Sequence, residues 1–198
     1  MDAVELQQQP CFHIHQKITM MVNRYHVFTD LDGEPDKLVA FVEQKRMKLK
    51  EEVTIFTDDT KTVVLGGFKA RKAIDVSGSY DVTGPSSQPI GLFTKVFRKS
   101  LLRSTWLLEQ PGQPSVNVTE HSGGFALFRR IWDFIPWLGD FPFPWKYHFE
   151  FARDGIAVGA LRKKTRFRDH YLLRIDDPAL DRVLLIAHAV ALDALQSR

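Results

Sequence analysis

One segment near the C-terminus restricts the fold more than any other. Val183-Leu184-Leu185-Ile186-Ala187-His188-Ala189-Val190-Ala191-Leu192 is apolar on every side when wound as a helix. A surface helix carries one apolar stripe, whereas a helix apolar all round is enclosed by protein or lipid. The helix is expected over 178–195, with Asp177 as N-cap and Pro178 in the first turn, where its missing N–H costs nothing. It is shorter than the run of about 20 apolar residues that crosses a bilayer. The remainder of the chain must therefore wrap around it.

That remainder reads as short strands. Alternating or β-branched segments fall near residues 12–20, 23–28, 38–46, 52–57, 61–70, 73–82, 89–97, 103–109 and 115–120, and again near 145–152, 156–162 and 169–175. Asp32-Gly33, Asp58-Asp59, Gly84-Pro85, Pro111-Gly112 and Asp154-Gly155 supply the turns. Strands this closely spaced, without intervening helices, indicate an antiparallel meander rather than βαβ units. One interruption stands out, where Phe125, Phe128, Trp132 and Ile135 recur at helical spacing before Pro136. The expected architecture is mainly β with a central α-helix: a closed antiparallel barrel of about twelve strands around the apolar helix, with one extra helix near 124–135. Residues 1–10 are polar and expected to be disordered, and 11–198 to form one domain.

The 15 Phe and 4 Trp fit a thick core lined by strands. A single cysteine, Cys11, allows no internal disulfide and suits a reducing compartment. With no apolar stretch at the N-terminus to act as a secretory signal, a cytoplasmic location is expected. The net charge of +3 permits anionic partners without requiring them.

Motifs of catalysis are weak. Val27-Phe28-Thr29-Asp30-Leu31-Asp32-Gly33 looks like the nucleophile motif of haloacid-dehalogenase-like phosphatases, but Glu34-Pro35 follows where that family wants Thr, and the crossover helices are missing. Asp-x-Asp-Gly before a strand is ordinary hairpin chemistry. No serine sits in a nucleophile elbow, and Leu65-Gly66-Gly67-Phe68 lacks the spacing of a phosphate loop; its glycines suit a bend in the wall or a close pass of the core helix. His13 and His15 share a strand face, yet a metal would need a third ligand from another strand. His26, His148 and His170 are available and no spacing selects among them, so hydrogen-bonded wall histidines are expected, with no metal and no cofactor. His188, inside the apolar helix, should be neutral and bonded to a barrel-wall group. Cys11 reads as a small packing residue.

The cations are more suggestive. Arg162, Lys163, Lys164, Arg166 and Arg168 crowd one hairpin. Arg46, Lys48 and Lys50 share strand parity, as do Lys69 and Arg71, and Arg98, Lys99 and Arg103 surround another turn. Near an anionic bilayer each such cation contributes about 1 kcal/mol, although a solvated exterior also explains any one cluster. The aromatic stretch holding Trp132, Trp137, Phe141 and Phe143, beside Arg129, Arg130 and Lys146, has two readings. It caps one end of the barrel, or it is exposed and contacts a membrane.

Local text adds a resemblance. Gln16-Lys17, Asn23-Arg24-Tyr25-His26-Val27, Phe68-Lys69-Ala70-Arg71, Tyr80-Asp81-Val82, Pro89-Ile90-Gly91, Leu101-Leu102-Arg103-Ser104-Thr105-Trp106 and Val190-Ala191-Leu192-Asp193-Ala194-Leu195 together resemble the Tubby C-terminal-like superfamily. Within it they look like a bacterial member of the LURP-one-related, phospholipid-scramblase-like family. None of these motifs is catalytic. The resemblance implies a non-enzymatic binding or scaffold protein, peripheral at the inner membrane face, contacting anionic phospholipid or phosphoinositide-like head groups through the 162–168 hairpin. The alternative is a cytosolic protein–protein interaction module with no lipid role. An enzyme site inside the barrel is disfavoured because the helix takes that space. Nucleic acid is a weaker partner still, since no groove accompanies the cations.

Overall fold

The computed structural model describes residues 3–19, 22–45, 52–71, 78–96, 104–120, 148–164 and 170–196. Twelve strands are formed among them. The first six are β1 (Cys11–Ile18), β2 (Val22–Leu31), β3 (Glu34–Lys45), β4 (Val53–Phe56), β5 (Val64–Ala70) and β6 (Ser79–Thr83). The rest are β7 (Pro89–Lys95), β8 (Thr105–Glu109), β9 (Val116–Glu120), β10 (His148–Arg153), β11 (Ile156–Lys163) and β12 (His170–Ile175). Each pairs antiparallel with its chain neighbours, and β12 closes onto β1, with Cys11 opposite Arg174 and His15 opposite His170. The expected closed barrel is what forms. Its extra helix near 124–135 lies outside the described residues.

Strand parity divides the wall. Phe12, Ile14, Tyr25, Val27, Trp106, Leu108, Phe149, Phe151 and Leu173 are buried toward the axis, while the alternate residues face outward. Turn chemistry sets the register: Asp32 and Gly33 both take positive φ, 52° and 89°, as do Asp154 and Gly155 at 49° and 80°. Two successive positive values make the tight hairpin turn whose twist matches the strands it joins. The phosphatase-like Asp30-Leu31-Asp32-Gly33 is therefore the end of a hairpin. β3 begins earlier than expected because Pro35 is accommodated past a bulge opposite Asp30, where β4 does not yet pair.

The axis is filled by α2 (Arg182–Gln196), in which Leu184, Leu185, Ala187, Val190 and Ala191 are fully buried. Two wall glycines sit between a neighbouring strand and the helix. A Cβ on Gly66 would lie 2.4 Å from Thr83 O and 2.8 Å from Val183 Cγ1, and one on Gly91 would lie 2.6 Å from Glu109 O and 2.8 Å from Leu184 Cδ2. At the far end, the Tyr25 hydroxyl donates to Asp193 Oδ2 at 2.8 Å, and the Tyr171 hydroxyl donates to Asp193 Oδ1, tying the last turn to β2 and β12.

Three expectations are corrected. The helix begins at Arg182, later than the 178 start. Asp177 Oδ1 accepts from the Ala179 amide at 2.9 Å and closes a separate turn, and Asp181 Oδ1 then caps the helix at the Leu184 amide, also 2.9 Å. Within the N-terminal stretch expected to be disordered, Ala3–Gln8 form helix α1. Leu6 is buried, and the Gln7 amide donates to the carbonyls of Pro178 and Leu180, so the lead-in to α2 holds α1 in place.

The third correction concerns His188, fully buried mid-helix with neither ring nitrogen hydrogen-bonded. The wall facing it is aromatic: the rings of Phe93, Trp106 and Phe151 lie 5.3, 5.7 and 5.9 Å away, all near edge-to-face. Rings stand where an acceptor is expected. Burial pushes its pKa from 6.5 down to about 3, so the ring is neutral in the folded protein. Between those two values the unfolded chain takes up a proton that the native protein does not, so stability falls as pH falls below 6.5. This ring's share of that loss is about 1.4 kcal/mol per pH unit. His188→Leu keeps the volume and removes two unsatisfied nitrogens. It is expected to stabilise the protein by about 1–2 kcal/mol at pH 7 and to flatten the acid slope, read by melts between pH 7 and pH 4.

Candidate functional site

With the axis occupied, chemistry is left to the outer wall. On β12, β1 and β2 the outward residues include His170, Leu172 and Arg174, then Cys11, His13, His15 and Lys17, then Arg24, His26, Phe28 and Asp30. Parity alone would leave His13 in solvent, yet it is fully buried. Two bulges in the β2–β3 hairpin, beside Phe28, bend its tip so that Asp30 reaches His13. The His13 Nε2 to Asp30 Oδ1 distance is 2.6 Å, and this bond is the main reason the Asp30 carboxyl sits below the ordinary range. Lys164 donates to Gly33 O at 3.2 Å, fastening the same tip to the end of β11.

Three imidazoles converge beneath. His13 Nδ1 is 2.9 Å from His170 Nε2, and the His15 and His170 rings stand edge to face at 4.2 Å. One nitrogen from each of His13, His15 and His170 lies within 4.8 Å of the others. His15 Nε2 is buried with no hydrogen-bond partner. Burial, reinforced by the neighbouring rings, lowers the pKa of His15 and takes that of His170 to about 4. Both are neutral near pH 7, each ring carrying one nitrogen lone pair. Cys11 shares the face, but burial first and then Asp30 raise its thiol to about 11, which keeps it protonated and unreactive, as a packing residue should be.

The cations singled out from sequence fall into two groups. Lys69 pairs with Glu52 at 3.5 Å and Arg71 with Asp81 at 2.6 Å, so that cluster is neutralised. Arg24 and Lys61 likewise share Glu43, each at 2.9 Å. On the β11–β12 hairpin the situation differs. Arg162 is exposed and donates from Nε to His148 Nε2 at 3.3 Å, Lys164 is exposed and bonds only a carbonyl, and neither has an ion-pair partner among the described residues. Lys163 has the parity of the inner face, its ammonium 5.6 Å from the centre of the Tyr171 ring. Arg166, Arg168, Trp132, Trp137, Phe141 and Phe143 lie outside the described residues, as do Arg46, Lys48, Lys50, Arg98, Lys99 and Arg103.

Sequence reasoning missed two features. The parity of His13 and His15 is legible, but their meeting with His170 depends on barrel closure, which no hairpin announces. Arg182 is also unsignalled: its guanidinium is buried against the carbonyls of Gln9, Asp177, Pro178 and Leu180 at the mouth of the barrel. No helix among the described residues is long and apolar enough to cross a membrane.

A family model described as LURP-one-related matches residues 38–193, from within β3 to near the end of α2. No curated protein matches the chain.

Proposed function

We infer that this chain, which belongs to the LURP-one-related family of the Tubby-like C-terminal superfamily, is a binding or scaffold module that docks on anionic phospholipid at the inner face of a membrane. The family suggests a Tubby-like lipid- or protein-binding domain and is generally non-catalytic. The observation that carries the lipid reading is the contrast between its cations. Lys69 and Arg71 are each paired with a carboxylate and Arg24 and Lys61 share Glu43, whereas Arg162 and Lys164 are exposed without an ion-pair partner among the described residues. The segment that follows adds Arg166 and Arg168. Cations grouped on one hairpin suit electrostatic docking to head groups, with phosphoinositide-like groups as the higher-charge case. The aromatic stretch with Trp132, Trp137, Phe141 and Phe143 is proposed as a further, apolar contact with the membrane.

The test is co-sedimentation with vesicles of graded phosphatidylserine content at low and high salt. Binding should rise with anionic lipid and fall with salt. Replacing Arg162, Lys164, Arg166 and Arg168 by Gln should reduce partitioning by about a thousandfold, at about 1 kcal/mol for each of the four cations. A folded parent that stays in the supernatant under all conditions would make the surface a protein-docking one and end the lipid reading.

A further inference from the structure

We propose that His13, His15 and His170 bind one divalent transition-metal ion of the zinc class on the outer wall, at the seam where the first and last strands close the barrel. The ligands stand on regular strands in fixed register, His15 directly opposite His170 and His13 two residues along the same strand. Their nitrogens already lie within 4.8 Å of one another. A tetrahedral zinc with bonds of 2.0–2.1 Å needs nitrogens about 3.3 Å apart, which small side-chain rotations achieve. Three imidazoles with no carboxylate among them select zinc, copper or nickel over calcium or magnesium, which want oxygen.

Two observations go beyond proximity. The first is Asp30, whose Oδ1 accepts the hydrogen bond from His13 Nε2–H at 2.6 Å, which puts the His13 lone pair on Nδ1, the nitrogen facing His170. A carboxylate behind a ligating histidine is the usual means by which a metal site fixes tautomer and ring orientation. The second is His15. A hydrogen bond between His13 and His170 accounts for those two rings without an ion, but it leaves His15 Nε2 buried and unpartnered. Such a group needs a reason, and an ion shared by all three rings supplies one. Three protein ligands leave a fourth position for water or another donor. Because β1 and β12 are joined by no turn, a shared ion would act as a clip across the closing pair. This inference is independent of the lipid reading.

The experiment uses the full chain, stripped with chelator and titrated with Zn²⁺ by calorimetry and with Co²⁺ by visible absorption. Expected are one equivalent of Zn²⁺, tetrahedral Co²⁺ bands that Zn²⁺ displaces, and a melting temperature raised by about 5–10 °C with Zn²⁺ a hundredfold above its Kd. Ca²⁺ and Mg²⁺ should do none of this. His15→Asn and His170→Asn should each weaken Zn²⁺ at least about a hundredfold, and Asp30→Asn by about 10–100-fold. His26→Asn and His148→Asn should bind as the parent does. Absence of a stoichiometric site in the parent, or a site unchanged in the His15 and His170 variants, overturns the proposal. Should those variants fold poorly, the histidine ring resonances of the ¹⁵N-labelled parent decide. Zn²⁺-dependent shifts of the ring nitrogens of His13, His15 and His170 support the site, and shifts confined to other histidines contradict it.

Discussion

Ala189→Asp is expected to abolish cooperative folding. Ala189 is 4% exposed, in a helix whose neighbouring residues Leu185, Val190 and Leu192 are buried on all sides by the barrel wall. A carboxylate there has neither water nor a cation, and at least about 5 kcal/mol is lost whether it stays charged or takes up a proton. That is comparable to the entire stability of a typical domain, about 5–15 kcal/mol. The variant should accumulate as insoluble protein or melt without a sharp transition. Ile156→Asp is the matched control. The same charge replaces an apolar residue, but at a position 71% exposed, and the expected change stays within about 0.5 kcal/mol. Equal behaviour of the two variants would place α2 outside the barrel.

Arg182→Met is the second large effect. The guanidinium is 3% exposed and donates to Gln9 O at 2.9 Å and to Leu180 O at 2.6 Å, with Pro178 O and Asp177 O at 3.2 and 3.3 Å. Burial lowers its pKa, offset by the nearby Asp177 and Asp181, and it remains a cation because a guanidinium holds its proton so strongly. Its role is to gather the carbonyls of the lead-in to α2, which cannot pair with one another. Gln7 and Gln110 complete the plug: Gln110 donates to Ala179 O and accepts from the Asp181 amide, both at 2.9 Å. Met fills the volume and leaves the carbonyls unsatisfied. The expected cost is about 3–5 kcal/mol, seen as a melting temperature lower by roughly 10 °C. Arg182→Lys should recover only part of it, since one ammonium cannot reach around the ring of acceptors as a planar fork does.

Much of the architecture was legible because it is written in local periodicity. Alternation in Tyr25-His26-Val27-Phe28 and Phe149-Glu150-Phe151 marks wall strands, Asp-Gly pairs mark the tight turns, and all-round apolarity marks the enclosed helix. The misreadings share a cause, which is contact between residues distant in sequence. Asp177-Pro178 has the form of a helix start, but the carbonyls that follow are taken by Gln7 and Arg182 before α2 begins. The polar N-terminus has the composition of a disordered tail, yet Leu6 and Gln7 dock on that same lead-in. His188 was expected to find an acceptor, whereas the strands facing it present rings. The histidine cluster is the clearest case. Spacing puts His13 and His15 on one face, but only the closing register of β1 with β12 adds His170, and only the bulges beside Phe28 bring Asp30 over them.

Filling the barrel also turns the proposed function to the outer wall. An eight-stranded barrel that holds a ligand keeps its interior open, whereas here a helix occupies the axis and approaches the wall to within glycine contact. What remains is an outer surface, neutralised by ion pairs on some strands and bearing, at Arg162 and Lys164, exposed cations with no ion-pair partner among the described residues.

Amide hydrogen exchange on the full chain, with and without phosphatidylserine vesicles, tests this account most directly. The filled interior predicts that amides from Leu184 to Leu192 exchange only through global unfolding, as slowly as the innermost wall strands, whether or not lipid is present. The surface reading predicts that vesicles slow exchange around the 162–170 hairpin and leave α2 unchanged. Fast local exchange in α2, or lipid protection that appears in α2 and spares the hairpin, would contradict the account.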